Sequence, residues 1–211
     1  MTLEPTPILL ENLYWITLLA VIVSSASGVL KAGFKQFDLF GVMIIAISTG
    51  LGGGSLRDML LDRDVFWVFD QIFFIASIAA ALAVFLTARF ISINPKFFLI
   101  ADAAGLASFA IAGTLVSLML GIPPLIASFM GVITGVMGGV FRDILCNETP
   151  VVFTSPLYAT VSWAGSLLFI GLMILDIDIT WAAITAGSAI FITRLLALYF
   201  KLSLPKFKFK S

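Results

Sequence analysis

Long apolar runs, interrupted by short polar or charged stretches, organise this chain from near its start to near its end. A helix needs about 20 largely apolar residues to cross the hydrocarbon core of a bilayer. Seven runs qualify, roughly Leu13 to Leu30, Leu39 to Leu56, Val65 to Ala88, Phe97 to Leu118, Pro123 to Phe141, Pro156 to Leu175 and Ile179 to Phe200. Entry signals accompany several of them: Pro123 and Pro124 suit a first helical turn, Ser155-Pro156 reads as N-cap then first position, and Asp178 precedes the last run. The pattern predicts an all-α integral membrane protein, one transmembrane domain over residues 1–211.

Lys and Arg accumulate on the cytoplasmic side of membrane proteins. Lys31 and Lys35 follow the first run, Arg89 and Lys96 separate the third and fourth, Arg142 follows the fifth, and Lys201, Lys206, Lys208 and Lys210 follow the seventh. All of these fall on one face. The other face carries Glu4, Glu11, Asp176, Asp178 and the Gly121 turn, with Arg57 and Arg63 outnumbered by Asp58, Asp62, Asp64 and Asp70. The N-terminus is therefore expected outside and the C-terminus in the cytoplasm, with the Lys-Phe-Lys-Phe-Lys tail (201–211) resting on anionic lipid.

The runs are also related to each other. Gly28, Leu30, Thr49, Gly50, Gly53, Gly54, Arg57, Asp58 and Leu60 recur without a gap as Gly113, Leu115, Thr134, Gly135, Gly138, Gly139, Arg142, Asp143 and Leu145, a constant offset of 85 positions. Each unit holds three runs, an odd number, so the second copy enters the membrane upside down. This predicts two inverted repeats, about 13–90 and 97–175, with a seventh helix at about 179–200 appended. Many transporters and some channels build a pathway around such an in-plane pseudo-two-fold axis.

Within each repeat the costly residues cluster. Glycine lowers helix stability by about 0.8–1 kcal/mol, and a charge at the bilayer centre costs at least about 2.5 kcal/mol. Isolated glycines such as Gly28, Gly105, Gly113, Gly131, Gly165 and Gly187 read as helix packing. Gly50, Gly52, Gly53 and Gly54 leave a full turn without side-chain cover, which predicts a bent, hydrated helix with exposed carbonyls; Gly135, Gly138 and Gly139 repeat the feature. Helix neighbours point about 100° apart, so Arg57 and Asp58, like Arg142 and Asp143, are expected to pair elsewhere rather than with each other. The arginines either snorkel to headgroups or flank one pathway at its two ends. Asp102, a turn into the fourth run, reads equally as an interfacial acid favoured by the helix dipole or as a pathway residue. Ser48, Thr49, Ser128 and Thr134 offer hydroxyls either to a passing ion or to their own helix backbones.

The composition, 61% hydrophobic and 11% charged with a mean hydropathy of +1.14, is too apolar for a hydrated surface. A formal net charge of zero argues against nucleic acid as a partner. One cysteine, Cys146, excludes a disulfide framework, and the lack of histidine removes the usual zinc and Ser-His-Asp chemistries. The acidic N-terminus makes the first run a retained span rather than a signal peptide. Gly50-Leu-Gly52-Gly-Gly-Ser55 has no βαβ unit around it and no Walker lysine, Gly-x-Ser-x-Gly elbow, His-Glu-x-x-His helix or Thr-Val-Gly-Tyr-Gly filter occurs. The chain is expected to be no enzyme and to hold no cofactor or metal.

Gly53-Gly54-Ser-Leu-Arg57-Asp58 and Gly138-Gly139-Val-Phe-Arg142-Asp143, in two inverted triplets plus a seventh span, resemble the prokaryotic trimeric intracellular cation (TRIC) channels, also grouped as a two-copy bacterial "glycine transporter" domain. The resemblance covers about Leu13 to Phe200. It implies a homotrimer in a bacterial or archaeal plasma membrane, each protomer enclosing a pore lined by kinked helices two and five and conducting monovalent cations such as potassium. A carrier of a small zwitterion such as glycine is the alternative. The sequence departs from the family where Met137 replaces the first glycine of the second cluster and where the basic lipid-binding motif of animal members is not recognisable. Gly28 and Gly113, on spans one and four, are candidates for the trimer interface.

Overall fold

The computed structural model describes residues 6–91, 94, 96–155 and 157–202. Among them all regular structure is helical: α1 (Pro7–Ala32), a 3-10 turn (Gly33–Lys35), α2 (Leu39–Leu60), α3 (Phe66–Phe69), α4 (Gln71–Phe90), α5 (Lys96–Met119), α6 (Pro124–Leu145), α7 (Val151–Thr154), α8 (Tyr158–Ile174) and α9 (Ile179–Phe200). Six helices are long and apolar enough to cross a membrane, and α8 is a shorter apolar helix of 17 residues. Pro156 and the tail lysines Lys206, Lys208 and Lys210 lie outside the described residues.

The offset of 85 carries into the architecture. α1–α4 and α5–α8 are the two repeats, and the start of α2 at Leu39 corresponds to that of α6 at Pro124. Short α3 corresponds residue for residue to short α7. The α2 and α6 C-termini close alike, with the next chain reversal made by Asp62 at φ 50° and Asn147 at φ 54°. Asp and Asn tolerate this left-handed conformation better than other side chains do.

Three expectations change. The third run does not form one helix, because Asp70 (φ −121°, ψ 97°) ends α3 and its carboxylate caps α4 by accepting from Ile72 N at 3.0 Å. Apolar content continues through the break, so hydropathy alone does not reveal it. Ser155 is not the cap of α8, which begins at Tyr158 after Leu157; its hydroxyl instead accepts from Arg194 Nη2 at 2.6 Å. Finally, α2 and α6 run on to Leu60 and Leu145, placing both Arg-Asp pairs inside the last helical turns. Asp178 does cap α9, accepting from Thr180 N at 2.9 Å.

α5 is the centre of the bundle, with 72% of its most apolar window buried, whereas the corresponding share for α4 is 17%. Leu106, Ile111, Leu115 and Leu118 of α5 pack with Phe169 of α8 and Ile190 of α9. The appended helix α9 therefore seals the second repeat, and among the described residues no helix covers the first in the same way.

Candidate functional site: two buried arginine–aspartate pairs around a glycine crossing

α2 and α6 meet along the pseudo-two-fold axis, and their glycines are what lets them meet. A methyl group on Gly53 would lie 2.1 Å from the Thr134 carbonyl oxygen, and one on Gly138 would lie 2.2 Å from that of Thr49. The two contacts are the same contact seen from each repeat, since Gly53 corresponds to Gly138 and Thr49 to Thr134. Such proximity allows Cα–H···O contacts between the helices and no side chain larger than hydrogen. Both helices are α-helical without interruption through their glycines. The cluster serves a backbone-to-backbone crossing.

The other glycines make room for neighbours. A Cβ on Gly50 would meet Ser25 Oγ, one on Gly135 the Leu106 carbonyl, one on Gly52 the Phe141 ring, and one on Gly54 the Phe66 ring. On Gly139 it would lie 3.4 Å from the Tyr158 hydroxyl and 3.5 Å from Arg142 Nη2. Gly28 and Gly113 are buried against Thr49 and Thr134. They face inward, which removes them as candidates for a trimer interface.

Thr49 and Thr134 donate to the Ile45 and Met130 carbonyls of their own helices, at 2.6 and 2.7 Å. Ser128 donates to Leu125 O and accepts from Trp163 Nε1 at 3.0 Å, which ties α6 to α8 away from the crossing. Ser48 is half-buried. The structure thus brings together Thr49, Gly53, Thr134 and Gly138 at the crossing, with one Arg-Asp pair at each end.

Those pairs correct the expectation that sequence neighbours cannot meet. Arg57 donates through Nε and Nη2 to Asp58 Oδ1, both at 2.8 Å, and Arg142 donates through Nε to Asp143 Oδ1 at 2.9 Å. An arginine side chain is long enough to curl around the 100° between neighbours, while Asp points toward the following loop. Each aspartate uses its second oxygen there: Asp58 Oδ2 accepts from Phe66 N at 3.0 Å and Asp143 Oδ2 from Val151 N at 2.8 Å. Each carboxylate therefore joins an arginine to the first turn of a short helix. All four side chains are buried, between 0% and 2% exposed, so each charge depends on its partner rather than on water.

Around this shared framework the two ends differ. At the α6 end, Arg142 Nη1 also donates to Asp102 Oδ1 of α5 at 2.7 Å and to Ser27 of α1 at 3.2 Å, and the guanidinium stacks over Phe98 at 4.7 Å. Asp102 is thus a buried ion-pair partner, not an interfacial acid. Arg194 of α9 joins this end, lying over the Tyr158 ring at 4.6 Å. At the α2 end, Arg57 lies 5.8 Å over Phe66, and Arg63 Nε approaches Asp58 Oδ1 at 3.5 Å. Beyond the α6 end, Lys31 and Lys35 (3.0 Å) bind Glu148 and hold its carboxyl below the usual carboxylate range.

Arg194, Tyr158 and Ser27 were not among the residues singled out from the sequence. A signal existed for Arg194, a lone cation in the apolar run Ile179–Phe200; Tyr158 and Ser27 offered none.

Comparison with known proteins agrees with this geometry. The family described as glycine transporter matches residues 14–89 and 99–174, one copy per repeat. The UPF0126 inner membrane protein YadS of Escherichia coli is 34% identical over 197 residues, 92% of this chain and 95% of its own length. A UPF0126 membrane protein of Vibrio cholerae is 36% identical over 197 residues, 92% of this chain and 82% of its own. Among solved structures, the TRIC trimeric intracellular cation channel orthologue from Rhodobacter sphaeroides superposes with a TM-score of 0.86 at 31% identity, covering 90% of this chain and 99% of that one. A prokaryotic TRIC channel crystallised in 0.5 M KCl gives a TM-score of 0.83 at 28% identity, covering 92% and 99%. With both repeats matched and nearly the whole fold superposed, this chain is a multi-pass membrane protein that belongs to the two-copy glycine transporter family and has the fold of the prokaryotic TRIC channels.

Proposed function

We propose that this chain is a passive cation channel that favours potassium, with a pathway in each protomer between α2 and α6. The observation that carries the proposal is the glycine crossing: two inverted copies of one helix touch backbone to backbone at Gly53 and Gly138, with buried ionic pairs at both ends. A contact of this kind, held by carbonyl oxygens and no interlocking side chains, separates by small helix shifts. On separation, the Thr49 and Thr134 carbonyls and hydroxyls line the gap as ligands for a dehydrating cation. Asp58 and Asp143 then keep the arginines from presenting bare positive charge to it, and Asp102 adds a second carboxylate at the α6 end. Relatives of the same fold are TRIC cation channels, which supports the reading.

The lysine distribution supports a C-terminus in the cytoplasm, with the Arg142 end inward and the Arg57 end outward. Three copies assemble in the proposal, as in the solved relative named as trimeric. Purified protein in planar bilayers is expected to give discrete conductance steps favouring potassium; slow saturable flux without steps overturns the channel reading. A carrier for a small zwitterion is the second reading, favoured by the buried guanidinium of Arg57 as a grip for a carboxylate. Counterflow of labelled glycine in proteoliposomes, abolished by Arg57→Ala, decides for it.

A further inference from the structure

The inverted repeats share the Arg-Asp pairs, the aspartate bonds to the short helices and the threonine bonds to their own helices, so the different surroundings of the two arginines are informative. Arg142 Nη1 has two acceptors, Asp102 Oδ1 at 2.7 Å and Ser27 Oγ at 3.2 Å. The positions corresponding to Asp102 and Ser27 are Thr17, on α1, and Ala112, on α5. Each guanidinium keeps one nitrogen without a hydrogen-bond partner among the described residues, Nη2 in Arg142 and Nη1 in Arg57, but Arg142 reaches two carboxylates whereas Arg57, only 2% exposed, reaches one. Both acceptors have been lost from one end while the arginine, its aspartate and the capped short helix remain.

The charge is unbalanced in the same direction. Position 148 in the second repeat is Glu, bound to Lys31 and Lys35, whereas its counterpart, Arg63, turns back onto Asp58 at 3.5 Å. Asp58 thus faces two guanidinium groups, while at the other end Arg142 faces two carboxylates. Asp62, Asp64 and Asp70, in the connections flanking α3, make no ion pair with Arg57 among the described residues. A buried guanidinium N–H left without an acceptor carries its full desolvation penalty, and a positive excess makes an anion the favoured acceptor over water.

We propose that the Arg57 end holds a small monovalent anion, a halide or a free carboxylate, hydrogen-bonded to Nη1 beside Thr17 in the place that Asp102 fills for Arg142. The anion is a fixed counterion that completes the pseudo-symmetry and balances the two guanidinium groups that share Asp58. It does not travel the pathway. The inference rests on the mismatch between repeats and not on conduction, so its test is independent of bilayer recordings.

The test is thermal unfolding of the purified protein in detergent at constant ionic strength, with a bulky organic sulfonate replaced stepwise by chloride or acetate, or with glycine added at fixed sulfonate. A saturable rise in Tm of about 2–4 °C is expected with the anion that occupies the site. Chloride and acetate both acting indicates a general anion site; glycine or acetate acting without chloride indicates a carboxylate site. Thr17→Asp, which installs the second repeat's carboxylate, is expected to abolish the rise. A wild-type Tm indifferent to all three additives, or a Thr17→Asp protein with the rise intact, overturns the proposal. Should Thr17→Asp fail to fold, anomalous scattering from wild-type crystals grown in bromide decides for the halide: a peak beside Arg57 Nη1 supports it, and if chloride raised Tm, no peak there refutes it.

Discussion

Gly53→Ala puts one methyl group into the contact on which the proposed pathway depends. Its Cβ would lie 2.1 Å from the Thr134 carbonyl oxygen. A carbon–oxygen contact needs about 3.3 Å, so α2 and α6 must part by roughly 1.2 Å at this point. The obstacle is backbone on an α-helix, so no side-chain rotation relieves it. Overpacking of this kind costs about 1–3 kcal/mol, and the glycine-to-alanine gain in helix propensity, about 0.8–1 kcal/mol, offsets only part of that. Because the crossing is also the proposed closure, parting it favours the conducting arrangement. Two assays read this together: Tm in detergent is expected to fall, and open probability in planar bilayers is expected to rise. Gly138→Ala, whose Cβ meets Thr49 O at 2.2 Å, is expected to do the same. The double variant is expected to cost less than the sum, since helices already parted for one methyl accommodate the other. A Gly53→Ala protein with unchanged Tm and unchanged gating refutes the reasoning that this contact is tight and that it is the closure.

Other consequences follow from the ionic groups. Asp102→Ala leaves Arg142 Nη1 buried with only Ser27 while the pair with Asp143 remains, and the loss of stability is expected to be about 1–3 kcal/mol, read as a fall in Tm or in folded yield. Ser155→Ala is expected to loosen α9 from the second repeat by removing an acceptor of Arg194 Nη2, seen as faster amide exchange along α9 with little change in the first repeat. Glu148 has its carboxyl pKa held down in the folded protein by Lys31 and Lys35, so its stabilising contribution is present at neutral pH and is lost as pH falls below about 4. Glu148→Gln is expected to remove that part of the acid sensitivity, and added salt to shrink it, both visible in Tm against pH.

The apolar runs and the offset of 85 were enough to place seven crossings and to order them as inverted repeats, because lipid allows few alternatives to a helix in such runs. The same offset reaches down to single bonds, as in Asp58 to Phe66 N and Asp143 to Val151 N. What the pattern hid has specific causes. The break at Asp70 follows apolar residues that look like the start of one long span. The pairing of Arg57 with Asp58 depends on the reach of arginine, which helical angles do not describe. The glycine clusters were open to two readings, a bent helix or a close crossing, and the choice between them depends on which helix lies opposite. Arg194 stands as a lone charge in its apolar run, but α9 has no copy, so the repeat supplies no counterpart that marks it.

The central claim is that cations cross each protomer between α2 and α6. The reversal potential of currents through the purified protein, recorded in a planar bilayer under a KCl gradient and repeated with Gly53→Ala, tests it most directly. The account predicts a reversal potential displaced toward potassium equilibrium in both proteins, with open probability raised in the variant. A reversal potential at chloride equilibrium, or an absence of current from protein that exchanges labelled glycine, would contradict it.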